Sequence, residues 1–247
     1  MISVSDLNIV IPSLSRVDII EKHPLREVAS LCVPERQADA YQARYPDMKV
    51  WAHPDSVSNI AQARNYILDN CRRPEDQSLI MFDDDLRFCI YTMTLHPKKH
   101  LELQYMMEVL EQTQNMAIDA GAGVFGFAHT PNPRERNTFV PFTLRGWVNC
   151  RSIGIIDPEL RFDDNLHAKE DFDICLQSLQ KHRIVWCEMR WVFVCEHWST
   201  QGGLQEVRTT ATQKFDEDYL IEKWGTKVMR AGGKTRKTGM SLSVGVS

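Results

Sequence analysis

The 247-residue chain lacks any uninterrupted apolar stretch near the ~18 residues that a membrane-crossing helix requires. Its N-terminus, MISVSDLNIVIPS, lacks a basic region ahead of the apolar stretch, so no export signal is legible. None of its seven cysteines (Cys32, Cys71, Cys89, Cys150, Cys175, Cys187, Cys195) stands in a Cys-x-x-Cys pair, and their number is odd. These absences predict a soluble, cytoplasmic protein (in the host cytoplasm if phage-encoded), with no membrane association and reduced, mostly buried thiols. Internal repeats and low-complexity linkers are absent too, and no obligate protein partner is evident. Acidic residues are missing altogether beyond position 222.

What remains is ordinary globular composition, 43% hydrophobic and 25% charged, which excludes a disordered tail protein, a collagen-like fibre and a coiled coil. The net charge of −4 is uneven: residues 1–222 hold 23 Lys and Arg against 33 Asp and Glu, whereas 223–247 hold six basic residues and no acid. An acidic body with a basic tail suggests a polyanion held by the tail, against the plainer reading of a solvated, frayed C-terminus.

Apolar runs at Leu7–Ile11, Ala29–Val33, Lys49–His53 and Leu79–Phe82 read as strands. Pro34 opens a helical stretch over Glu35–Tyr45, and Ser58 is placed to cap a helix reaching about Asn70. Strand and helix alternate, so a mostly parallel sheet flanked by helices is expected. Leu103, Met106, Met107, Leu110 and Ala117 recur at helical spacing, where the methionines are packing. The second half is more mixed, with strands at Gly123–Ala128, Val185–Cys187 and Trp191–Cys195 and a helix over Lys169–Lys181. The organisation is thus one α/β domain over 1–222, with halves 1–100 and 101–222, and a basic tail over 223–247.

The chemistry starts at Asp83-Asp84-Asp85, directly after an apolar strand. That is the carboxyl edge of the sheet, where open α/β folds bind ligands. Strand alternation points Asp83 and Asp85 one way and Asp84 the other. Two acids on one side repel unless a cation neutralises them, and hard oxygen donors suit Mg²⁺ or Mn²⁺. An acidic, helix-capping turn is the plain alternative. Arg64, on the preceding helix, shares a face with Ile60 and Leu68 and so points inward, to snorkel or to reach a phosphate or carboxylate. Glu170 and Asp171 open a later helix, either as dipole partners or as a general base. His197 follows the strand ending at Cys195 and can complete a metal shell or be structural. Gly202-Gly203 permits close backbone approach to a phosphate.

Ile11-Pro12-Ser13, Ala63-Arg64-Asn65, Asp83-Asp84-Asp85, Glu170-Asp171 and the late His197, in that order, resemble the GT-A glycosyltransferases over residues 7–210. With Arg16, the 169–179 helix, Gly202-Gly203 and Arg208, the chain looks like the phage-type enzymes that glycosylate hydroxymethylpyrimidines in DNA, the TET-associated glycosyltransferase group. The resemblance implies a single GT-A-like domain with a Rossmann-like nucleotide-sugar half and a mixed acceptor half. It implies a UDP-sugar donor, UDP-glucose first, over Ser13, Arg16 and Arg64, with Asp83 and Asp84 beside it. Asp85, Asp83 and His197 would hold Mn²⁺ or Mg²⁺, and Asp171, with Glu170 in reserve, would be the base of an inverting transfer; retention stays open. The acceptor would be 5-hydroxymethylcytosine or a relative in DNA, met by Arg208, Lys214, Lys234, Arg236 and Lys237, with Trp198 as a stacking surface. A glycan or protein acceptor, a metal-dependent nuclease or nucleotidyltransferase, and a non-catalytic binding module are the alternatives.

Overall fold

A computed structural model describes residues 7–94, 99–100, 102–132, 140–195, 209–231 and 240–242. The first half contains β1 (Asn8–Pro12), β2 (Ser30–Pro34), α1 (Glu35–Arg44), β3 (Val50–His53), α2 (Ile60–Asn70), β4 (Leu79–Phe82), β5 (Leu86–Tyr91) and β6 (Lys99–His100). It continues through α3 (Leu103–Asp119), β7 (Val124–Phe127), β8 (Phe142–Thr143), β9 (Ser152–Ile155), α4 (Glu170–His182), β10 (Trp186–Glu188) and β11 (Trp191–Cys195). Then come α5 (Thr210–Trp224) and the paired β12 (Met229–Ala231) and β13 (Met240–Leu242).

Eight strands form the central sheet in the order β3-β2-β1-β4-β9-β7-β10-β8. The first four are parallel, as the alternation of strands and helices requires. Beyond β4 the sheet is mixed: β9 runs antiparallel to both β4 and β7, while β10 returns parallel to β7. Along the strands side chains alternate between two cores. Ile9, Ile11, Ile80 and Phe82 pack with Tyr41 of α1 and Met106 and Leu110 of α3. Val10, Leu79 and Met81 pack on the other face with Ile67 of α2 and Cys175 and Leu179 of α4. Burial on both faces explains why these strands read as continuous apolar runs. All seven cysteines are buried free thiols. Among the described residues no helix is long and apolar enough to cross a membrane.

One expectation is corrected. Asn59, not Ser58, caps α2: its extended backbone lets the side chain accept from the Gln62 amide at 2.9 Å, while the Ser58 hydroxyl turns to the Gln62 side chain. Helix α5 also runs through position 223, one residue into the stretch read as the basic tail. Lys223 ion-pairs with Asp163 at 2.6 Å and with the fully buried Asp173 at 2.8 Å, and Met229 lies in the core. A buried carboxylate needs a cation, and the helix extends far enough to supply one.

The inserted β9 depends on a close fit at Gly154. A Cβ at Gly154 would sit 2.0 Å from the Phe125 ring, itself fully buried. Gly154→Ala should therefore cost about 1–3 kcal/mol or more by overpacking. Urea unfolding checks this, and an unchanged midpoint would rule out the tight Gly154–Phe125 fit.

Candidate active site

The parallel strand order reverses direction between β1 and β4, so the crevice beyond their carboxyl ends is the topological switch point. Ser13 follows β1 there and Asp83-Asp84-Asp85 follow β4, in the tight turn that leads into β5. The turn separates the three carboxylates.

Asp84 turns toward β1. It accepts from the Ser13 hydroxyl at 2.7 Å and pairs with Arg16 Nη1 at 2.9 Å. Tyr41 of α1 closes this group, its hydroxyl 2.8 Å from Ser13 Oγ and accepting from the Arg16 amide at 3.0 Å. Burial raises the Asp84 pKa, opposed by the Ser13 hydroxyl and the Arg16 charge.

Asp83 and Asp85 turn the other way, toward the end of β11. One carboxylate oxygen of each and Cys195 Sγ lie within 4.8 Å of one another. Asp85 is 6% exposed, and its Oδ1 has no hydrogen-bond partner among the described residues. Burial first, and then the charges of Asp83 and Asp84, push Asp85 up to about 6. A buried, unpaired carboxylate oxygen beside a second carboxylate is a site that a divalent cation would relieve, so these residues fit the metal expected from the sequence.

Arg64 sits inward, 2% exposed, between two acids. It bonds Glu170 and reaches Asp83 Oδ1 and the Cys150 carbonyl, both at 3.3 Å. Burial opposes its charge, but Cys150, Glu170, Asp83 and Asp171 together outweigh that and raise its pKa. Its guanidinium therefore ties the end of β4 to the start of α4. Arg64→Met would leave Glu170 buried without its cation, a loss of about 3–5 kcal/mol. Adding Glu170→Gln should recover part of it, which a double-mutant cycle in urea measures. A double variant no more stable than Arg64→Met would show that the pair does not couple.

Asp171, the next residue of α4, is half-buried and does not share that ion pair. Burial and then the Glu170 carboxylate push it up to about 7, against Arg64, the Phe172 amide and the Trp147 side chain. Trp147 stacks on Phe172 with centroids 4.9 Å apart and planes at 14°.

Helix α5 holds the approach to α4 from behind. The fully buried Asp216 accepts from the Ala168 amide at 2.8 Å and from the His167 amide at 3.2 Å. Tyr219 donates to Asp163 at 2.9 Å, and Trp224 donates to Asp173 at 2.7 Å.

Sequence reasoning did not single out Tyr41, Trp147, Cys195 or Asp216 as site residues. Only Cys195 carried a local signal, as the last residue of an apolar run before His197. Lys214 is exposed on α5 and pairs with Asp218 at 2.9 Å. His197, Trp198, Gly202, Gly203, Arg208, Lys234, Arg236 and Lys237 lie outside the described residues.

The TET-associated glycosyltransferase profile matches residues 7–203. The chain belongs to the TET-associated glycosyltransferase family. Membership in this glycosyltransferase family sets aside the nuclease, the nucleotidyltransferase and the non-catalytic module. No curated protein sequence matches the chain. Among solved structures, S. aureus TarS 1–349 in complex with UDP is similar with a TM-score of 0.50 at 10% identity, over 87% of this chain and 65% of that one. S. aureus TarS matches at 0.49 and 10% identity, over 87% and 40% of the two chains. TarS 1–349 matches at 0.48 and 11% identity, over 74% and 57%. The family member described here thus spans less than two thirds of each TarS chain, and the shared feature is the fold.

Proposed function

We propose that this protein transfers a hexose from a nucleotide-diphospho-sugar, with UDP-glucose as the first donor to try, to the hydroxyl of a hydroxymethylpyrimidine in DNA. Family membership supports glycosyl transfer, the UDP in the TarS complex suggests the nucleotide, and the family's name suggests the acceptor. The observation that supports the reading is Arg64, which joins Asp83 after β4 to Glu170 at the start of α4, the residue next to Asp171.

In this reading the nucleotide lies over β1, where the Asp84–Ser13–Arg16–Tyr41 group shapes the wall. Asp85 and Asp83, with His197, would hold Mn²⁺ or Mg²⁺. That ion supplies positive charge to the departing diphosphate. Arg64 acts indirectly, keeping Asp83 and Glu170 in place. Asp171 takes the acceptor's proton as its oxygen attacks the anomeric carbon and the bond to the diphosphate breaks. One base and a direct displacement give inversion. Gly202-Gly203 would serve the phosphates, and Trp198 would be the stacking surface for a flipped base.

The basic residues beyond α5, with Arg208 and Lys214, offer positive charge toward DNA from an otherwise acidic body. Mass spectrometry of products from a panel of nucleotide-sugars, offered with hydroxymethylated DNA or with glycans, tests the reading. A new hexose mass on DNA is expected; modification of glycans alone would remove the DNA acceptor. Neutralising Lys234, Arg236 and Lys237 should raise the acceptor KM. The slope of log affinity against log salt should also become shallower, by about 0.9 for each phosphate no longer neutralised. Donor hydrolysis should be unchanged.

A further inference from the structure

Cys195 brings sulfur to the edge of a site of hard oxygen donors, its thiol hydrogen-bonded to the Asp85 carboxylate. Residues of β11 pair antiparallel with β5, and the register slips between Val194 and Cys195. Such irregularities re-aim a side chain beside a site. Here the slip falls at the residue opposite Leu86, the neighbour of Asp85. The result is the grouping of Cys195 Sγ with one oxygen each of Asp83 and Asp85, all within 4.8 Å. Asp85 Oδ1, buried and without a hydrogen-bond partner among the described residues, gives an independent sign of a ligand between them.

Ions of the zinc type hold thiolate sulfur at about 2.3 Å and carboxylate oxygen at about 2.0–2.2 Å. Donors facing one another across such an ion are therefore separated by at most about 4.5 Å. The spacing in this protein needs only a small side-chain adjustment to meet that limit.

We propose that Cys195 is a sulfur ligand of the bound divalent ion, making this a mixed carboxylate–thiolate centre that favours Co²⁺ and Zn²⁺ over Mg²⁺. The proposal rests on the metal-dependent reading above. Sulfur donors favour softer ions, whereas Mg²⁺ prefers an all-oxygen shell. As the sulfur–metal bond forms, the thiol proton passes to the buffer. Two carboxylates and a thiolate then leave one negative charge in excess over a divalent ion. Arg64, shared with Glu170 and 3.3 Å from Asp83 Oδ1, offsets part of it.

The test is Co²⁺ titration of the metal-free full chain, read by absorbance and calorimetry. The unmodified protein should show a near-ultraviolet sulfur-to-cobalt charge-transfer band with a stoichiometry of one. Cys195→Ser should lose the band and weaken Co²⁺ binding by at least about tenfold, the loss that even outer-shell changes can cause. Because that variant could fold poorly, X-ray absorption on the Zn²⁺-loaded unmodified protein gives a second measurement, with one sulfur expected at about 2.3 Å. Cobalt bound through oxygen and nitrogen alone, or a band that survives in Cys195→Ser, overturns the thiolate ligand. If sugar transfer is still abolished by chelator in that case, the metal-dependent glycosyltransferase stands without it. Failure of the unmodified protein to bind Co²⁺ or Zn²⁺ at all overturns the thiolate centre, and chelator-resistant sugar transfer would overturn the metal reading separately.

Discussion

Asp85→Ala should reduce sugar transfer to background while leaving the metal-free protein at least as resistant to heat as the unmodified chain. The two effects have one origin. Asp85 lies between Asp84 and the start of β5, 6% exposed, with one oxygen unpaired and two carboxylates as sequence neighbours. Without a cation its charge is crowded by like charges, so its removal relieves repulsion that outweighs the loss of the Cys195 thiol hydrogen bond. With a cation and a diphosphate in place, the same removal leaves negative charge uncompensated in a partly dry site. Asp84→Ala should behave differently. Strand alternation alone suggests a mild variant, because the side chain points away from Asp83 and Asp85. The structure shows that it balances Arg16 and accepts from Ser13 in a buried group. Breaking that pair should cost about 3–5 kcal/mol. Thermal melts in chelator, alongside product mass spectrometry, separate the two variants. Equal melting temperatures for Asp84→Ala and the unmodified chain would contradict the buried pair.

Asp171→Asn should lower kcat by about 10²–10⁴-fold, the usual worth of a positioned base, with donor binding nearly unchanged. Its pKa of about 7 also sets the pH profile. A general base works only when deprotonated, so the unmodified rate should fall as pH drops below about 7 and level off above it. The asparagine variant should lose that limb. Glu170→Gln offers the contrast within the same turn of α4. Glu170 is 4% exposed and bonded to Arg64, so the variant should lose stability before it loses proton transfer. A limb near pH 7 that persists in Asp171→Asn would move the base elsewhere.

The residues themselves were enough for the parallel half of the fold and for the position of its acids. Continuous apolar runs bounded by Pro12, Pro34 and Asp83 leave few options but buried parallel strands, and three aspartates after such a run must lie at the sheet's edge. Arg64 could also be placed on an inward face, because helical periodicity is local. Its partners could not, since Glu170 is 106 residues away along the chain. Likewise the antiparallel insertion of β9 between β4 and β7 depends on Gly154 making room for the Phe125 ring, a fit between separate strands. Nothing near Asp216 announces that it caps the backbone ahead of α4, and nothing near Lys223 announces its ion pairs with Asp163 and Asp173. Periodicity, capping and strand ends are short-range consequences of backbone geometry, and the sequence by itself determined them. Ion pairing, ring packing and the meeting of Cys195 with Asp85 depend on which surfaces the folded chain brings together, and only the tertiary structure decided those.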